Sequence, residues 1–269
     1  MNEQNEQNEQ NEQYEELTRM VEPEVEKMGA VQRIASVFTS PGELMQNIKV
    51  YPVVLVPFLV AVMLGIAAIP TSLQVTEMMN QEMSHISIER YGVDLFDLTP
   101  LADEYGDLGL TAIMDAATIV MFVASAIFGP LLMGFLSALG VFVLCKIARG
   151  PVRLGQLFSM YLHIYVLILL GALIAAFLMV ITGSVVDMTS LAALMAGGRM
   201  DMVLYNILTS ISIFSVWAAV LAYIGIKILN DFSSAKAGII TLIAFSVNIA
   251  INVSILMATW WTFDTLMGV

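Results

Sequence analysis

Two long apolar stretches joined by a short polar turn constrain this chain most. Residues 207–229 and 237–261 are each over 20 residues long and contain almost no charge. As α-helices with a rise of about 1.5 Å per residue, each reaches across a hydrocarbon core of about 30 Å. The turn between them, residues 230–236, is too short to be a domain. The sequence therefore predicts two antiparallel helices that cross a lipid bilayer.

The composition agrees with a membrane protein and excludes several other classes. Hydrophobic residues make up 58% and charged residues 13% of the chain, and its mean hydropathy of +0.83 lies outside the usual range of soluble domains. The net charge of −12 comes mainly from acids before residue 44 and between Glu77 and Asp115. A pI near 4.4 argues against nucleic-acid binding, which requires a basic surface. The single cysteine, Cys145, excludes an intramolecular disulfide and a Cys-rich metal site.

The chain is predicted to begin with a tail followed by two short helices. Residues 1–22 are acidic and include four copies of Asn-Glu-Gln, a composition typical of disorder. Within residues 23–50, apolar side chains recur at helical spacing from Val25 to Phe38, and the capping sequence Ser40-Pro41-Gly42-Glu43 begins a second helix. We expect both to be amphipathic helices that lie on the cytoplasmic membrane surface. The alternative is a packed helical cap that touches no lipid.

The remainder, residues 51–269, is predicted to be a membrane domain with five spans and an acidic outer loop at 71–115. The approximate boundaries of the spans are 51–70, 124–145, 161–183, 207–229 and 237–261. The uncharged run that holds the second span is too long for one untilted crossing, but two crossings with a turn at Gly129-Pro130 would each be shorter than about 17 residues. We therefore expect one helix, kinked near Pro130. Whether residues 109–123 extend this span or lie at the interface stays open.

The basic residues predict the orientation of this integral, multi-pass membrane protein. Of the 11 Lys and Arg residues, all but Arg90 and Arg199 fall on one side of the five-span arrangement. By the positive-inside rule, the N-terminus is cytoplasmic and the C-terminus extracytoplasmic. Trp260 and Trp261, at the outer end of the last span, suit an interfacial aromatic belt.

The predicted spans lack the residues that intramembrane chemistry requires. No ionisable group lies near the centre of a span, and the chain has no zinc-protease or nucleotide-binding motif. Asp115 and His163, near the ends of the second and third spans, are interpreted as interfacial residues. The acids of the outer loop lack the spacing of a calcium-binding loop. We therefore expect no enzymatic activity, no catalytic residue, no cofactor and no metal site.

Asn248 and Asn252 are the main polar residues in the middle of the fifth span, and they share one helix face. We expect them to form a polar seam with hydroxyl groups of the fourth span, including Ser212 and Ser215, in which each contact contributes ~0.6–2 kcal/mol. The alternative is that this seam lines a polar conduction path.

Several short motifs of the membrane domain resemble those of one protein family. They are Phe38 to Glu43 with Pro41, the pair Gly129 and Pro130, and the hairpin residues Trp217, Gly225, Lys227 and Lys236. These motifs resemble the Yip domain family, the Ypt/Rab-interacting five-pass membrane proteins, and in particular its prokaryotic branch, over roughly residues 35–260. The third span departs from the family pattern because it begins Tyr161-Leu162-His163 without the expected proline. The resemblance implies a non-enzymatic membrane scaffold, and eukaryotic relatives are associated with Rab GTPases and vesicle traffic.

Together these observations predict an all-α, five-span membrane protein that acts through bilayer organisation or through binding to other membrane or cytoplasmic proteins. The first alternative is a small transporter or channel component lined by the polar seam between the fourth and fifth spans. The second is an accessory subunit or sensor whose acidic outer loop binds a ligand. The family implies no catalytic residues.

Overall fold

Helices form almost all of the regular structure in the part of the chain that the computed structural model describes. It describes residues 25–94, 110–195 and 197–268, and of residues 110–115 only the backbone. The predicted tail at 1–22 and the middle of the predicted acidic loop, 95–109, lie outside the described residues. An isolated bridge between Ser190 and Ser212 is the only β-type pairing within the described ranges.

Eight α-helices and one 3-10 turn follow one another along the described residues. They are α1 (Ala30–Thr39), α2 (Pro41–Val50), α3 (Leu55–Tyr91), α4 (Leu110–Ile147), α5 (Leu154–Thr182), the 3-10 turn (Leu191–Leu194), α6 (Val203–Thr209), α7 (Ile213–Asn230) and α8 (Ser234–Met267). Five of these helices, α3, α4, α5, α7 and α8, are long and apolar enough to cross a membrane. The predicted fold class, an all-α protein with five membrane-crossing helices, is confirmed.

Three of the crossing helices are much longer than a bilayer requires. Helices α3, α4 and α8 contain 37, 38 and 34 residues, which at about 1.5 Å per residue gives lengths of about 50–57 Å. Each therefore extends about 20 Å beyond a hydrocarbon core of about 30 Å. The helix that holds the first predicted span continues through Pro70 to Tyr91, because a proline removes one backbone hydrogen bond without ending a helix whose other bonds are kept.

The fourth predicted span, 207–229, is divided between two helices. Helix α6 ends at Thr209, and α7 begins only after Ser212, which caps its N-terminus. The Ser215 N–H donates to Ser212 Oγ at 3.1 Å, and the Ser212 N–H donates to Ser215 Oγ at 2.7 Å. Reciprocal caps of this kind satisfy backbone donors that the first turn of a helix leaves free. The crossing helix α7 is therefore only 18 residues long.

Helix α5 lies at the centre of the bundle. It packs against α3, α4 and α7, and it also contacts α1 and α2. Its buried side chains include Leu157, Met160 and Leu167. Helix α2 packs against α7 and α5, with Leu44 and Met45 fully buried. The core therefore continues from the long helices into α2.

Gly171 allows α5 and α7 to approach closely. A Cβ atom at Gly171 would lie 2.3 Å from Cγ and 2.7 Å from Cβ of Phe214. Rotation of the Phe214 side chain could move Cγ away but not Cβ, so the clash with Cβ would remain. A Cβ atom at Gly140, on α4, would have no such neighbour within 4 Å. The two glycines therefore provide a matched pair for testing this helix contact.

We predict that Gly171→Ala lowers the free energy of unfolding by about 1–3 kcal/mol, because the added methyl group forces α5 and α7 apart. Gly140→Ala should leave stability unchanged or raise it by up to about 1 kcal/mol, since alanine is the better helix former. Denaturant titration of the purified protein in mild detergent, followed by circular dichroism, measures both. Equal stability of the two variants would show that the Gly171 contact does not determine the packing.

Candidate functional site

The bundle has two ends of different chemistry. The end formed by α1, α2, the α4–α5 loop and the α7–α8 turn is called the basic end, because it carries the residues Arg33, Lys49, Lys146, Arg149, Arg153, Lys227 and Lys236. The opposite end, where α3 and α8 end and where the segment between α5 and α7 lies, is called the acidic end. The most unusual side-chain environments lie at the basic end.

Helix α1 turns its apolar face away from the protein. Val31 is 84% exposed and Phe38 is 43% exposed, whereas the polar residues Arg33 and Ser36 are buried together with one apolar residue, Val37. The outward face, together with the beginning of α3, forms an apolar groove of about 390 Å³, lined by Ala30, Val31, Ile34, Ala35, Phe38, Val56 and Val60. A surface helix of a water-soluble protein has the reverse arrangement, because it packs its apolar face on the protein core. The arrangement of α1 is that of a helix whose apolar side faces lipid.

Arg33 holds α1 in this orientation. Its side chain is 1% exposed, its Nε donates to the carbonyl of Met28 at 3.2 Å, and its Nη1 donates to the carbonyl of Tyr51 at 3.0 Å. Its Nη2 donates to Oδ1 of Asn47. No carboxylate forms an ion pair with Arg33 within the described ranges. Because a buried cation without these acceptors is costly, the three oxygens fix α1 relative to α2 and the α2–α3 turn.

A second set of hydrogen bonds ties this cap to α5. Oγ of Ser159 accepts from the Val53 N–H at 3.1 Å and donates to the Val53 carbonyl at 2.7 Å. The Gln156 amide donates to the carbonyl of Lys49 at 2.6 Å. The Ser159 bonds satisfy backbone groups of the irregular turn between α2 and α3, and the Gln156 bond satisfies a carbonyl in the last turn of α2. The cap formed by α1 and α2 is therefore a rigid part of the bundle.

His163 is buried beneath this cap. It is 0% exposed, and its Nδ1 donates to the carbonyl of Ser159 at 2.7 Å. In this tautomer Nε2 is an acceptor, and it has no hydrogen-bond partner among the described residues. The sequence-based interpretation of His163 as an interfacial residue did not indicate this burial inside the protein. The residues on either side of it, Leu162 and Ile164, are also buried, so His163 lies among the side chains of the core.

Several of the family-like motif residues meet at the basic end. The indole N–H of Trp217 donates to the carbonyl of Val37 at 3.3 Å, and the Lys236 ammonium donates to the carbonyl of Ala148. Pro41 begins α2, and Gly225 leaves room for the sulfur atoms of Met160 and Met45. These contacts explain why scattered short motifs belong to one structural unit.

The other motif residues form none of these contacts. Lys227 is exposed in the last turn of α7. Gly129 and Pro130 lie inside α4, where Gly129 faces Tyr165 of α5. The ion pair between Lys49 and Asp231, at 2.7 Å, joins the end of α2 to the α7–α8 turn.

The acidic end is held by an ion-pair network that the sequence did not reveal. Arg90 lies 2.8 Å from Asp264 and 3.6 Å from Asp201, and Arg199 lies 2.9 Å from Asp201 and 2.7 Å from Glu89. Partly exposed pairs of this kind contribute about 0–1 kcal/mol each. Their geometry nevertheless connects the end of α3, the segment before α6 and the end of α8. Arg90 and Arg199 are the two basic residues that do not lie on the same side as the other nine, and both belong to this network.

The structure does not bring the residues of the predicted polar seam together. Ser212 and Ser215 use their hydroxyl groups in the cap of α7. Asn248 and Asn252 are exposed on α8, where Nδ2 of Asn252 donates to the backbone carbonyl of Asn248 at 2.9 Å and to its Oδ1 at 3.1 Å. Over the described ranges, no hydrogen bond joins the serines to the asparagines. The serines were available as caps in the sequence, since serine before an apolar run is a typical helix start.

The comparisons with known proteins agree with this architecture. The model of the Yip1 domain matches residues 35–256. Neither a curated protein nor a solved structure matches the chain significantly. The matched region begins within α1 and ends within α8, so it includes α2 to α7 completely and parts of α1 and α8. Among the described residues, no group of three or more His, Cys, Asp or Glu side chains is arranged to hold a metal ion.

We predict that Asn47→Ala destabilises the protein by about 1–3 kcal/mol, because it removes the acceptor for Arg33 and the donor to the Glu26 carbonyl. Asn47→Asp keeps an acceptor beside the guanidinium and should lose less. Gln46→Ala, at the exposed neighbouring position, is the control and should behave as wild type. Thermal unfolding in detergent measures stability, and a spin label at position 35 reports the mobility of α1. Unchanged label mobility in Asn47→Ala would contradict the role of this contact.

Proposed function

Since the chain belongs to the Yip1 domain family, we propose that it works without catalysis, as an integral membrane protein that organises the bilayer around it. The observation that carries this proposal is the inverted orientation of α1. Its apolar residues Val31 and Phe38 face outward, and its arginine is buried in the protein. In this proposal, α1 inserts its apolar face into the headgroup and acyl boundary of one leaflet.

The rigid attachment of α1 distinguishes it from a free amphipathic helix. A free interfacial helix keeps basic side chains in water and changes its depth and tilt with the lipid. Here the polar face is occupied by Arg33 and its three acceptors, and the turn after α2 is bonded to Ser159 of α5. The depth of α1 is therefore fixed relative to the membrane-crossing helices. Such a helix displaces lipid from one leaflet next to the bundle and favours curvature toward that leaflet.

The groove beside α1 provides a site for an acyl chain of the leaflet that α1 enters. Its lining is apolar throughout and includes Val56 and Val60 of α3. An acyl chain that lies along α3 enters this groove without meeting a polar side chain. The bilayer is therefore the first partner of this protein. Membrane or cytoplasmic proteins that bind the basic end are further partners.

We place the basic end, with the N-terminus, in the cytoplasm and the C-terminus outside. The supporting observation is that seven described Lys and Arg residues lie at the basic end, and two lie at the acidic end; Lys27, in the extended segment before α1, also precedes the cap. The inserted helix then acts on the cytoplasmic leaflet.

The transporter alternative has no structural support. It requires a polar path between α7 and α8, but the hydroxyl groups of Ser212 and Ser215 bond within their own helix end. Asn248 and Asn252 bond to one another on an exposed face. We therefore do not propose transport.

We predict that the full-length protein, reconstituted into lipid vesicles, reduces vesicle diameter or forms tubules as the protein-to-lipid ratio rises. The double variant Val31→Glu/Phe38→Glu should lose this effect, because charged side chains on the outward face cannot enter the acyl region. Gln32→Glu, which adds a carboxylate at a neighbouring exposed position, is the control and should shape vesicles as wild type does. Electron cryomicroscopy measures the vesicle shapes.

Because the two changed side chains are exposed, the double variant should retain the wild-type unfolding temperature in detergent. A folded double variant that shapes vesicles as strongly as wild type would overturn the proposal. An environment-sensitive dye at position 35 gives a second readout, since it should report an apolar environment in wild type and an aqueous one in the double variant.

The orientation has its own test. Leu266→Cys, exposed near the end of α8, should react with a membrane-impermeant thiol reagent on intact cells. Ala235→Cys, exposed at the α7–α8 turn, should react only after permeabilisation. The native Cys145 is 0% exposed and gives little background. The opposite labelling pattern would reverse the proposed orientation.

A further inference from the structure

The middle of α8 has little protein around it. Its buried residues, Ala237, Ile240 and Trp260, lie near its two ends. Between them, Asn248 and Asn252 are exposed. At about 1.5 Å per residue they lie about 18–24 Å from Lys236 and about 12–18 Å from Trp260 along the helix, which places both inside a hydrocarbon core of about 30 Å.

Amide side chains that face hydrocarbon at this depth are unfavourable. Water forms hydrogen bonds with an amide, but lipid hydrocarbon cannot, so an amide without a protein partner is destabilising at this depth. Nδ2 of Asn252 donates to two acceptors of Asn248, the backbone carbonyl oxygen and the side-chain Oδ1. Among the described residues, Nδ2 of Asn248 and Oδ1 of Asn252 have no hydrogen-bond partner. The pair therefore presents a free donor and a free acceptor on one surface of α8.

The neighbours of this pair have the spacing of a helix–helix seam. Phe245, Asn248, Asn252, Ile255 and Thr259 follow one another at intervals of three, four, three and four residues. This alternation places them on one narrow stripe of the helix, as at the a and d positions of a heptad. From Asn248 onward the members of the stripe are exposed. The stripe is thus a continuous surface of amide, apolar and hydroxyl side chains, without a partner helix among the described residues.

We propose that this stripe binds the same stripe of α8 in a second copy of the chain. Two copies inserted in the same orientation are related by a two-fold axis along the membrane normal, which brings each residue to the depth of its own counterpart. An asparagine amide carries both a donor and an acceptor, so it is complementary to itself. Asn248 and Asn252 therefore meet Asn248 and Asn252 of the partner in adjacent layers, and Ile255 packs in the apolar layer that follows.

A second copy fits this surface better than an unrelated helix does. An unrelated helix would need an amide or hydroxyl pair at the same depth and the same spacing, whereas a second copy supplies both by symmetry. Polar residues at such positions set the register and the number of helices in a seam. The inference goes beyond the proposed function of α1 and does not rest on it, because α1 and the α8 stripe share no residue.

The test measures the oligomeric state of the full-length protein in lipid vesicles by single-molecule photobleaching of one attached dye per chain. Wild type is expected to be a dimer at dilution, and Asn248→Leu/Asn252→Leu should raise the apparent dissociation constant about tenfold or more. Ser254→Leu, an exposed polar residue on the opposite face of α8, is the control and should leave the dimer unchanged. A monomeric wild type, or a double variant that dimerises as wild type does, would overturn the proposal.

Disulfide cross-linking in native membranes tests the same contact without removing the asparagines. Under mild oxidation, Ile255→Cys should form a cross-linked dimer, and Ser254→Cys should not. Cross-linking of Ser254→Cys in place of Ile255→Cys would place a different face of α8 in the dimer and overturn the proposal. So would capture of Ile255→Cys exclusively by another protein. The vesicle-shape assay with Asn248→Leu/Asn252→Leu separates this inference from the role of α1, because α1 is intact in this variant and a monomer should still change vesicle shape.

Discussion

The guanidinium of Arg33 is almost completely buried, and its described neighbours offer it carbonyl and amide oxygens instead of a carboxylate. A cation removed from water is tolerated only where its donors are well bonded. Its three acceptors belong to the segment before α1, to α2 and to the turn that leads into α3. They must therefore stay in place together, so one side chain fixes the position of both short helices and the start of the first crossing helix.

The same constraint explains why two similar sequence patterns have opposite outcomes. Both short helices carry apolar residues at helical spacing, and the sequence predicts both on the membrane surface. Helix α2 instead buries Leu44, Met45 and Ile48 completely, whereas α1 exposes Val31 and Phe38. Periodicity divides a helix into two faces, but it does not say which face meets the protein. For α1 that choice depends on Asn47 and the Tyr51 carbonyl, which are distant along the chain and present no pattern of their own.

Hydropathy predicted the five crossing segments because lipid requires about 20 apolar residues in sequence. It did not predict where the helices end, since backbone hydrogen bonding continues past the apolar region, as in the stretch of α3 from Pro70 to Tyr91. The expectation of a polar seam assigned Ser212 and Ser215 to a contact between helices, whereas in the structure their hydroxyl groups cap α7. The pairing of Arg90 with Asp264 joins residues 174 positions apart, and no local signal in the sequence could indicate it.

The acidic-end network also changes how the charge asymmetry is understood. Arg90 and Arg199 are the two basic residues on that side, and both are held by Glu89, Asp201 and Asp264. Their positive charge is therefore neutralised locally. At the basic end, Lys49 pairs with Asp231, but Arg33 has only neutral acceptors, and Lys236 donates to a backbone carbonyl. The difference in unneutralised positive charge between the two ends is thus larger than the residue count suggests. Because topology responds to the number of Lys and Arg residues beside the spans and only weakly to nearby acids, it is their excess at the basic end that supports the proposed placement of α1 on the cytoplasmic leaflet.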